Sequence, residues 1–431
     1  MTDLQELPTP RLRVVTREVD AIDDVLEYAE AARPMFWSRR GDAMAAFGES
    51  HAFVSPGDPT RFDIGARWRA LAATAEIDDP VGLRGTGLLA FGAFTFDPRS
   101  PARSILSVPS IIVGRRDGRS WVTRITHADA AVGVSDADAS VPPEPTPYGP
   151  YWSAKLGPGA LDPAGYQAAV RNALETIAGG DVSKVVLARD LVGSVPAGSD
   201  LRRLVRALAS GYPDCWTYAV DGCLGASPET LVTVTGGTVT ARVLAGTAPR
   251  GADADADTAA SLTLATSAKD QDEHAYAVQS VLASLRPHTS ALAASEQPFT
   301  LKLPNVFHLA TDVEGELSDG ASALDMVAAL HPTAAVAGTP TDAALEVIRR
   351  LEPQDRGRYA GPVGWIDANG DGEWAIALRG AQFDLDTVPA DGRDDIPLRA
   401  HAGAGIVAGS DPEAELLETR VKFRPIVDAL A

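Results

Sequence analysis

Residues 217–244, TYAVDGCLGASPETLVTVTGGTVTARVL, indicate what kind of β-sheet this chain forms. Three segments within them, 217–224, 231–234 and 238–244, have the β-branched and apolar composition that is typical of strands. The links between these segments contain glycine or proline and are too short for the crossover that parallel strands require. Strands joined this tightly pair in antiparallel fashion, so the stretch predicts a mainly antiparallel sheet.

Helices are predicted on both sides of these strands. Apolar residues recur at helical spacing in residues 164–178, and a further helix is predicted at 341–351. Apolar runs at 183–187 and 306–316 are predicted to be additional strands. Because strands and helices do not alternate as strict βαβ units, the sequence predicts an α+β fold with large, mainly antiparallel sheets.

The composition is that of an ordinary globular protein with an excess of acidic residues. Of the 431 residues, 45% are hydrophobic and 22% are charged, and the formal net charge is −20. This charge argues against nucleic acid and anionic membrane surfaces as partners. No secretory leader and no apolar run of the ~18 residues that a membrane span needs are apparent. The two cysteines, Cys215 and Cys223, give no disulfide framework, so a reducing, cytoplasmic location is expected.

A proline-rich segment divides the chain. Residues 138–150, DASVPPEPTPYGP, contain five prolines, which disfavour both helix and sheet. The predicted loop separates an N-terminal region, residues 1–150, from a C-terminal region, residues 151–431.

Two predicted helices carry paired carboxylates. Asp270 and Glu273 are three residues apart and share one helix face, as do Glu415 and Glu418, with Lys422 one turn further on. Two such pairs on separate helices could converge on a hard cation such as Mg²⁺. A chain with 58 acidic residues also produces such pairs on solvated helix faces, so spacing leaves both interpretations open.

Two further side chains could exchange protons with a substrate. Lys184 begins an apolar strand, and a lysine held in an apolar site can lose its proton near neutral pH and act as a base. Glu229 follows Pro228, and a desolvated carboxyl there would have a raised pKa and could donate a proton. A solvated lysine at a strand start and a glutamate in a plain turn are the alternatives.

Other segments could bind an anion. The glycine-bearing segments at 244–247, LAGT, and 402–406, AGAGI, could approach an anion with backbone N–H groups, although tight sheet packing explains them equally. Arg379 ends an apolar strand 20 residues after Tyr359, and a buried arginine needs an anionic partner, whether a ligand or a structural carboxylate. No nucleotide-binding fingerprint, zinc pattern or Ser-His-Asp arrangement stands out.

The order of these segments resembles the chorismate-binding enzyme family from about Tyr166 to the C-terminus. The resemblance is carried by SKVVLAR, SPETLV, LAGTAPRG, KDQDEH, LHPTAAVAGTP, RYAGPVGW, ALRGAQ and AGAGIVAGSDPEAELLET, and more loosely by PMFWSRRGD and AFGAFTFDP near the N-terminus. It implies a fold like that of anthranilate synthase component I, with two large, mainly antiparallel sheets packed face to face and peripheral helices. It also implies that residues 1–150 add strands to the same globule as the catalytic region, residues 151–431.

Within the family the sequence is most similar to the isochorismate synthases of menaquinone or siderophore pathways. Members that install an amino group usually carry glutamine where Lys184 stands. The resemblance implies an isomerase that uses Mg²⁺ and converts chorismate reversibly to isochorismate, adding water at ring carbon 2 as the 4-hydroxyl leaves. The expected partner is the small molecule chorismate, and no glutaminase subunit is expected.

The resemblance also implies roles for individual residues. Lys184 is the general base and Glu229 the general acid. Glu273 and Glu418 bind Mg²⁺, with Asp270 and Glu415 nearby. The substrate contacts are Gly246, Thr247, His308, Ala335, Tyr359, Arg379, Gly403, Ala404, Gly405 and Lys422, of which His308, Ala335 and Ala404 shape the pocket.

Three alternatives within the family remain open at this point. A salicylate synthase would share Lys184, the acid and the metal ligands, and would then eliminate pyruvate; the residues around Ala335 distinguish it. An anthranilate or aminodeoxychorismate synthase is disfavoured by Lys184. An inactive chorismate-binding protein is disfavoured by the complete set of site residues.

Overall fold

The computed structural model describes residues 10–55, 60–129, 139–304, 306–386 and 395–431. The strands are β1 (Leu12–Val19), β2 (Met35–Arg39), β3 (Asp42–Phe47), β4 (His51–Ser55), β5 (Glu76–Asp78), β6 (Leu89–Ala93), β7 (Ser104–Val108), β8 (Ile111–Arg116), β9 (Arg119–His127), β10 (Gly157–Pro158), β11 (Lys184–Val195), β12 (Trp216–Val220), β13 (Cys223–Ser227), β14 (Thr230–Thr235), β15 (Thr238–Pro249), β16 (Thr289–Ala294), β17 (Phe299–Lys302), β18 (Val306–Leu317), β19 (Gly338–Thr339), β20 (Pro362–Asp367), β21 (Gly372–Ile376), β22 (Gly380–Phe383) and β23 (Ile396–Ile406). The α-helices are α1 (Ile64–Thr74), α2 (Pro163–Ala178), α3 (Arg202–Gly211), α4 (Ala254–Thr266), α5 (Ala268–Leu285), α6 (Ala323–Leu330), α7 (Thr341–Leu351) and α8 (Pro412–Leu430). Short 3₁₀ helices occur at Val25–Tyr28, Arg61–Asp63 and Arg286–His288.

The strands form two large sheets. The first has the order β10-β11-β23-β22-β13-β12-β2-β3-β8-β9-β1-β5, with β19 also paired to β11. The second has the order β16-β18-β15-β14-β21-β20-β6-β7-β4, with β17 also paired to β18. Strands β1 and β5 are parallel, whereas the long pairings such as β11 with β23 and β15 with β18 are antiparallel. The predicted α+β fold with large, mainly antiparallel sheets is confirmed. None of the described helices combines the length and the hydropathy needed to cross a membrane.

One strand prediction in the stretch 217–244 is wrong. Residues 217–224 form not one strand but a hairpin, in which β12 ends at Val220 and β13 begins at Cys223. Asp221 and Gly222 have φ values of 46° and 76°, the left-handed conformation that two-residue hairpin turns require. The chain then leaves the first sheet after β13 and enters the second sheet at β14, so Glu229 lies at the crossing between the sheets.

Large apolar side chains fill the space between the two sheets. Trp37 of the first sheet and Trp365 and Trp374 of the second are almost completely buried in one core. The indole N–H groups of Trp37 and Trp365 donate to the Glu373 carboxylate at 2.7 and 3.1 Å. These bonds satisfy a buried charge, and the bond from Trp37 links the facing sheets, whereas Trp365 and Glu373 are neighbours within the second sheet.

Strands from the N-terminal region are integrated into both sheets. Strand β2 pairs with β12 in the first sheet, and β6 pairs with β20 in the second. Of the predicted proline-rich loop, residue 138 lies outside the described residues, and residues 139–150 contain no strand. We propose that residues 1–150 and 151–431 fold as one unit, since each supplies neighbours that the other's strands need.

We expect residues 151–431, expressed alone, to be insoluble or to lack a cooperative unfolding transition. Without the N-terminal region, β12 and β20 each lose a strand neighbour, and unpaired strand edges promote aggregation. Solubility and thermal unfolding of the fragment measure this, and co-expression with residues 1–150 is the matched control that should restore folding. A soluble fragment that unfolds cooperatively by itself would contradict the proposal of a single folding unit.

Candidate active site

A cavity of about 390 Å³ lies where strands of both sheets meet helices α5 and α8. Most residues that the sequence singled out line it, although they come from separate parts of the chain. These lining residues are Glu229, Gly246, Thr247, Asp270, Glu273, His308, Ala335, Tyr359, Arg379, Gly403, Gly405, Glu415, Glu418 and Lys422.

The two remaining predicted residues, Lys184 and Ala404, lie behind the cavity wall. The Lys184 side chain is 1% exposed, and its Nζ lies 3.0 Å from Oε1 of Glu273, which does line the cavity. Ala404 is a buried residue of β23. A Cβ built on Gly405 would lie 2.5 Å from Oε1 of Glu273, so the Gly405 position faces Glu273. Successive residues of a strand face opposite sides, and Ala404 therefore points away from Glu273.

Acidic residues of α5 and α8 form one wall of the cavity, as the i,i+3 spacing predicted. This acidic wall consists of Asp270 and Glu273 from α5 and Glu415 and Glu418 from α8.

Three carboxylates of the acidic wall each contact a lysine ammonium. Lys184 Nζ lies 3.0 Å from Glu273, Lys422 Nζ lies 2.5 Å from Glu418, and Lys269 Nζ lies 3.2 Å from Glu415. Sequence reasoning missed Lys269, although it is the first residue of the KDQDEH motif.

The acidic wall has the chemistry of a site for a hard divalent cation, since all its donors are carboxylate oxygens. Within the described ranges, however, no three His, Cys, Asp or Glu side chains are grouped closely enough to hold a metal ion. A cation could therefore bind there only after the carboxylates move from their lysine partners toward one another.

Glu229 is poised to carry a proton. Its side chain is buried, and the Ser227 hydroxyl accepts a hydrogen bond from its backbone N–H at 3.2 Å. Burial raises the pKa of the Glu229 carboxyl to about 7, although the positive charges of Arg379, Lys184 and Lys422 act in the opposite direction. A large fraction of the carboxyl is thus protonated near neutral pH and able to donate.

A buried guanidinium forms another part of the cavity. Nη2 of Arg379 lies 3.3 Å from Nε2 of His308, and the Nδ1 atom of the same ring lies 3.3 Å from the Gly246 carbonyl. Burial, together with the nearby Arg379 and Lys422 charges, holds the pKa of His308 well below its ordinary value. The ring is therefore neutral, and these contacts assign its proton to Nδ1, so that Nε2 accepts from Arg379. This leaves the positive charge of Arg379 available to an anionic ligand.

A β-bulge lies in the strand that lines one side of the cavity. The pairing of β15 with β18 shifts register between Ala245 and Thr247, and Gly246 at this bulge has a φ of 80°. Glycine adopts this conformation without the steric cost of a Cβ, and the bulge re-aims the backbone. Elsewhere in the cavity lining, the Tyr359 ring stacks on the His401 ring, with the two centroids 5.0 Å apart.

Comparison with known proteins matches residues 1–431 to the family described as "Chorismate binding enzyme". Isochorismate synthase DhbC of Bacillus subtilis is 42% identical over 281 residues, which cover 62% of this chain and 68% of that protein.

Two solved structures share the fold. MenF of Escherichia coli, a menaquinone-specific isochorismate synthase, aligns with a TM-score of 0.78 at 26% identity, over 98% of this chain and 95% of that one. Anthranilate synthase component I of Streptococcus pneumoniae aligns with a TM-score of 0.67 at 20% identity, over 99% of this chain and 94% of that one. The second likeness concerns the fold alone, and it confirms the architecture that the resemblance implied. Since the family match extends over the whole chain, the protein belongs to the chorismate-binding enzyme family.

Proposed function

We propose that the protein is a magnesium-dependent isochorismate synthase. It converts chorismate reversibly to isochorismate, adding water at ring carbon 2 while the hydroxyl at ring carbon 4 leaves. The similarity to DhbC and MenF supports this choice among the activities of the family. We further propose that the enzyme is cytoplasmic and works without a glutaminase subunit.

The placement of Lys184 and Glu229 is the observation that carries the proposal. Lys184 starts β11 and lies behind the cavity wall in contact with Glu273, whereas Glu229 lies between β13 and β14 and lines the cavity, so the two groups come to one site from different elements. The reaction needs a base that takes a proton from the attacking water and an acid that protonates the departing hydroxyl. The raised pKa of Glu229 suits it to the acid role, and we propose Lys184 as the base. One water is consumed and one is released, so the products balance.

The positive groups of the cavity suit a dianionic substrate. Chorismate carries two carboxylates, and the chain as a whole carries a formal charge of −20. We propose that Arg379 and Lys422 bind the substrate carboxylates, assisted by Tyr359 and by backbone N–H groups of the glycine-bearing strands. Arg379 has its charge available, and Lys422 already donates to the Gly403 carbonyl at 2.9 Å, on the strand that lines the cavity.

We propose that Glu273 and Glu418 hold Mg²⁺, with Asp270 and Glu415 near it. When bound, the cation supplies positive charge to a substrate carboxylate beside the acidic wall. Cation binding by Glu273 would draw its carboxylate away from Lys184, whose Nζ lies 3.0 Å from Oε1 of Glu273.

Product analysis tests this function. Purified full-length protein is incubated with chorismate with and without Mg²⁺, and products are resolved by chromatography and proton NMR. We expect isochorismate, the same equilibrium mixture from either substrate, loss of turnover with a chelator and recovery on adding Mg²⁺. Salicylate with pyruvate would assign a salicylate synthase instead, and products formed only with ammonia would assign an aminating enzyme.

We expect Gly405→Ala to lower kcat/KM by roughly 10²-fold, the scale of loss that misplacing a reacting group by about 1 Å can cause. The added Cβ would lie 2.5 Å from Oε1 of Glu273 and 3.1 Å from Cε of Lys184, so this pair must move. Gly409→Ala is the matched control, since nothing lies within 4 Å of a Cβ there. Steady-state kinetics compares the variants, and equal activity would show that the Lys184–Glu273 pair tolerates displacement.

A further inference from the structure

Lys269 is a charged residue of the cavity that the proposed reaction does not use. It is the second residue of α5, it lines the cavity, and its Nζ contacts Oε1 of Glu415 on α8 at 3.2 Å. The Glu415 side chain is 3% exposed, whereas that of Lys269 is 38% exposed. The contact therefore gives a buried carboxylate a counter-ion that can turn toward solvent.

The surroundings of Lys269 are those of the proposed cation site. On its own helix, Asp270 is the next residue and Glu273 lies one turn further, and both belong to the acidic wall. A divalent cation among these carboxylates would lie close to the Lys269 ammonium. Two positive charges a few ångströms apart in a partly buried site repel each other strongly.

We propose that Lys269 is an internal counter-ion of the metal site: it neutralises Glu415 in the metal-free protein and must release Glu415 for a divalent cation to bind. This inference rests on the proposed function, because it concerns the same acidic wall. Lys184 and Lys422 also contact acidic-wall carboxylates, but each has a role toward the substrate. Lys269 has none, so its charge can be removed without removing a group that touches chorismate.

Lys269 thereby sets how tightly the cation binds. Cation binding must break the Lys269–Glu415 ion pair and overcome the repulsion of the ammonium, and both oppose binding. A purely structural role predicts a different outcome. A bridge between α5 and α8 would lower thermal stability when removed, and would leave the affinity for the cation unchanged.

Titration calorimetry of MgCl₂ into metal-free, full-length protein without substrate tests the proposal. We expect Lys269→Gln to lower the Kd for Mg²⁺ by about tenfold or more, and Lys269→Arg, which keeps the charge, to stay within about threefold of the wild type. Lys302→Gln is the matched control, since Lys302 pairs with Asp257 and does not line the cavity. It should leave the Kd unchanged. Thermal unfolding verifies that each variant is folded. If Lys269→Gln does not fold, Lys269→Met is tested in its place.

The outcomes separate this inference from the proposed function. Wild-type protein that binds Mg²⁺, with unchanged or weaker binding in the neutral variant, would overturn the role of Lys269 and leave the proposed function standing. If the wild type bound no Mg²⁺ in the presence or absence of chorismate, the proposed metal site itself would be refuted. The proposal is supported only if the neutral variant binds Mg²⁺ more tightly than the wild type while the arginine variant and the control do not.

Discussion

Replacing Lys184 with methionine should lower kcat by about 10²–10⁴-fold, the range expected when a general base is lost. Substrate affinity should change far less, because Lys184 lies behind the cavity wall rather than among the lining residues. Single-turnover kinetics gives the rate of the chemical step, and fluorescence titration gives the affinity for chorismate. Lys155, an exposed residue outside the site, provides the matched control as Lys155→Met.

The partner of Lys184 complicates this substitution and supplies a second test. Methionine would leave the nearly buried Glu273 without its ammonium, and breaking a buried ion pair costs about 3–5 kcal/mol in stability. Lys184→Arg keeps the positive charge, but a guanidinium does not give up its proton near neutral pH. A folded arginine variant with less than 1% of wild-type turnover, a loss on the order of 10²-fold, would agree with the base role. Turnover within about tenfold of wild type in both variants would refute it.

Replacing Glu229 with glutamine should lower kcat by about 10²–10⁴-fold and, at alkaline pH, make the protein more stable. The carboxyl has a pKa of about 7 in the fold against 4.5 ordinarily, so the folded state binds more protons than the unfolded state between these values. The contribution of Glu229 to the free energy of unfolding is therefore fully present below about pH 4.5 and is lost as the pH rises through about 7. At 1.36 kcal/mol per pKa unit, the penalty above this range approaches about 3 kcal/mol, and glutamine avoids it.

Chemical denaturation at about pH 5 and about pH 8 measures this effect. The glutamine variant should gain about 3 kcal/mol over the wild type at the higher pH and less than about 1 kcal/mol at the lower pH. Glu175→Gln, at an exposed position of α2, is the control and should be neutral at both. A variant that is inactive but equally stable at both pH values would mean that burial of Glu229 does not control its protonation.

Much of the site followed from the sequence because its motifs are local. Helical periodicity alone placed Asp270 beside Glu273, and Glu415 beside Glu418. That α5 and α8 face each other across one cavity depends on the packing of the whole fold. For that reason the contact of Lys269 with Glu415, which joins residues 146 positions apart, had no local signal. The prediction that Ala404 shapes the pocket was wrong, because it ignored the alternation of side chains along a strand, which places Ala404 on the face opposite to Gly405.

The fold was predictable at the level of its class but not of its sheet order. The Asp221-Gly222 turn was visible in the sequence, yet the apolar residues around it resembled one continuous strand. That β13 and β14 belong to different sheets has no local cause, because it depends on their pairing with β22 and β21. These long-range strand pairings determine the position of Glu229, which lies between β13 and β14.

The position of β23 in the first sheet has a consequence for how the protein is synthesised. This strand, residues 396–406, lies between β11 and β22, and α8 with Glu418 follows it in the chain. During translation, the edge of β11 that pairs with β23 remains unpaired, because its partner lies more than 200 positions downstream. This pairing can form only after residues 396–406 have been synthesised, and the unpaired edge of β11 is open to aggregation until then.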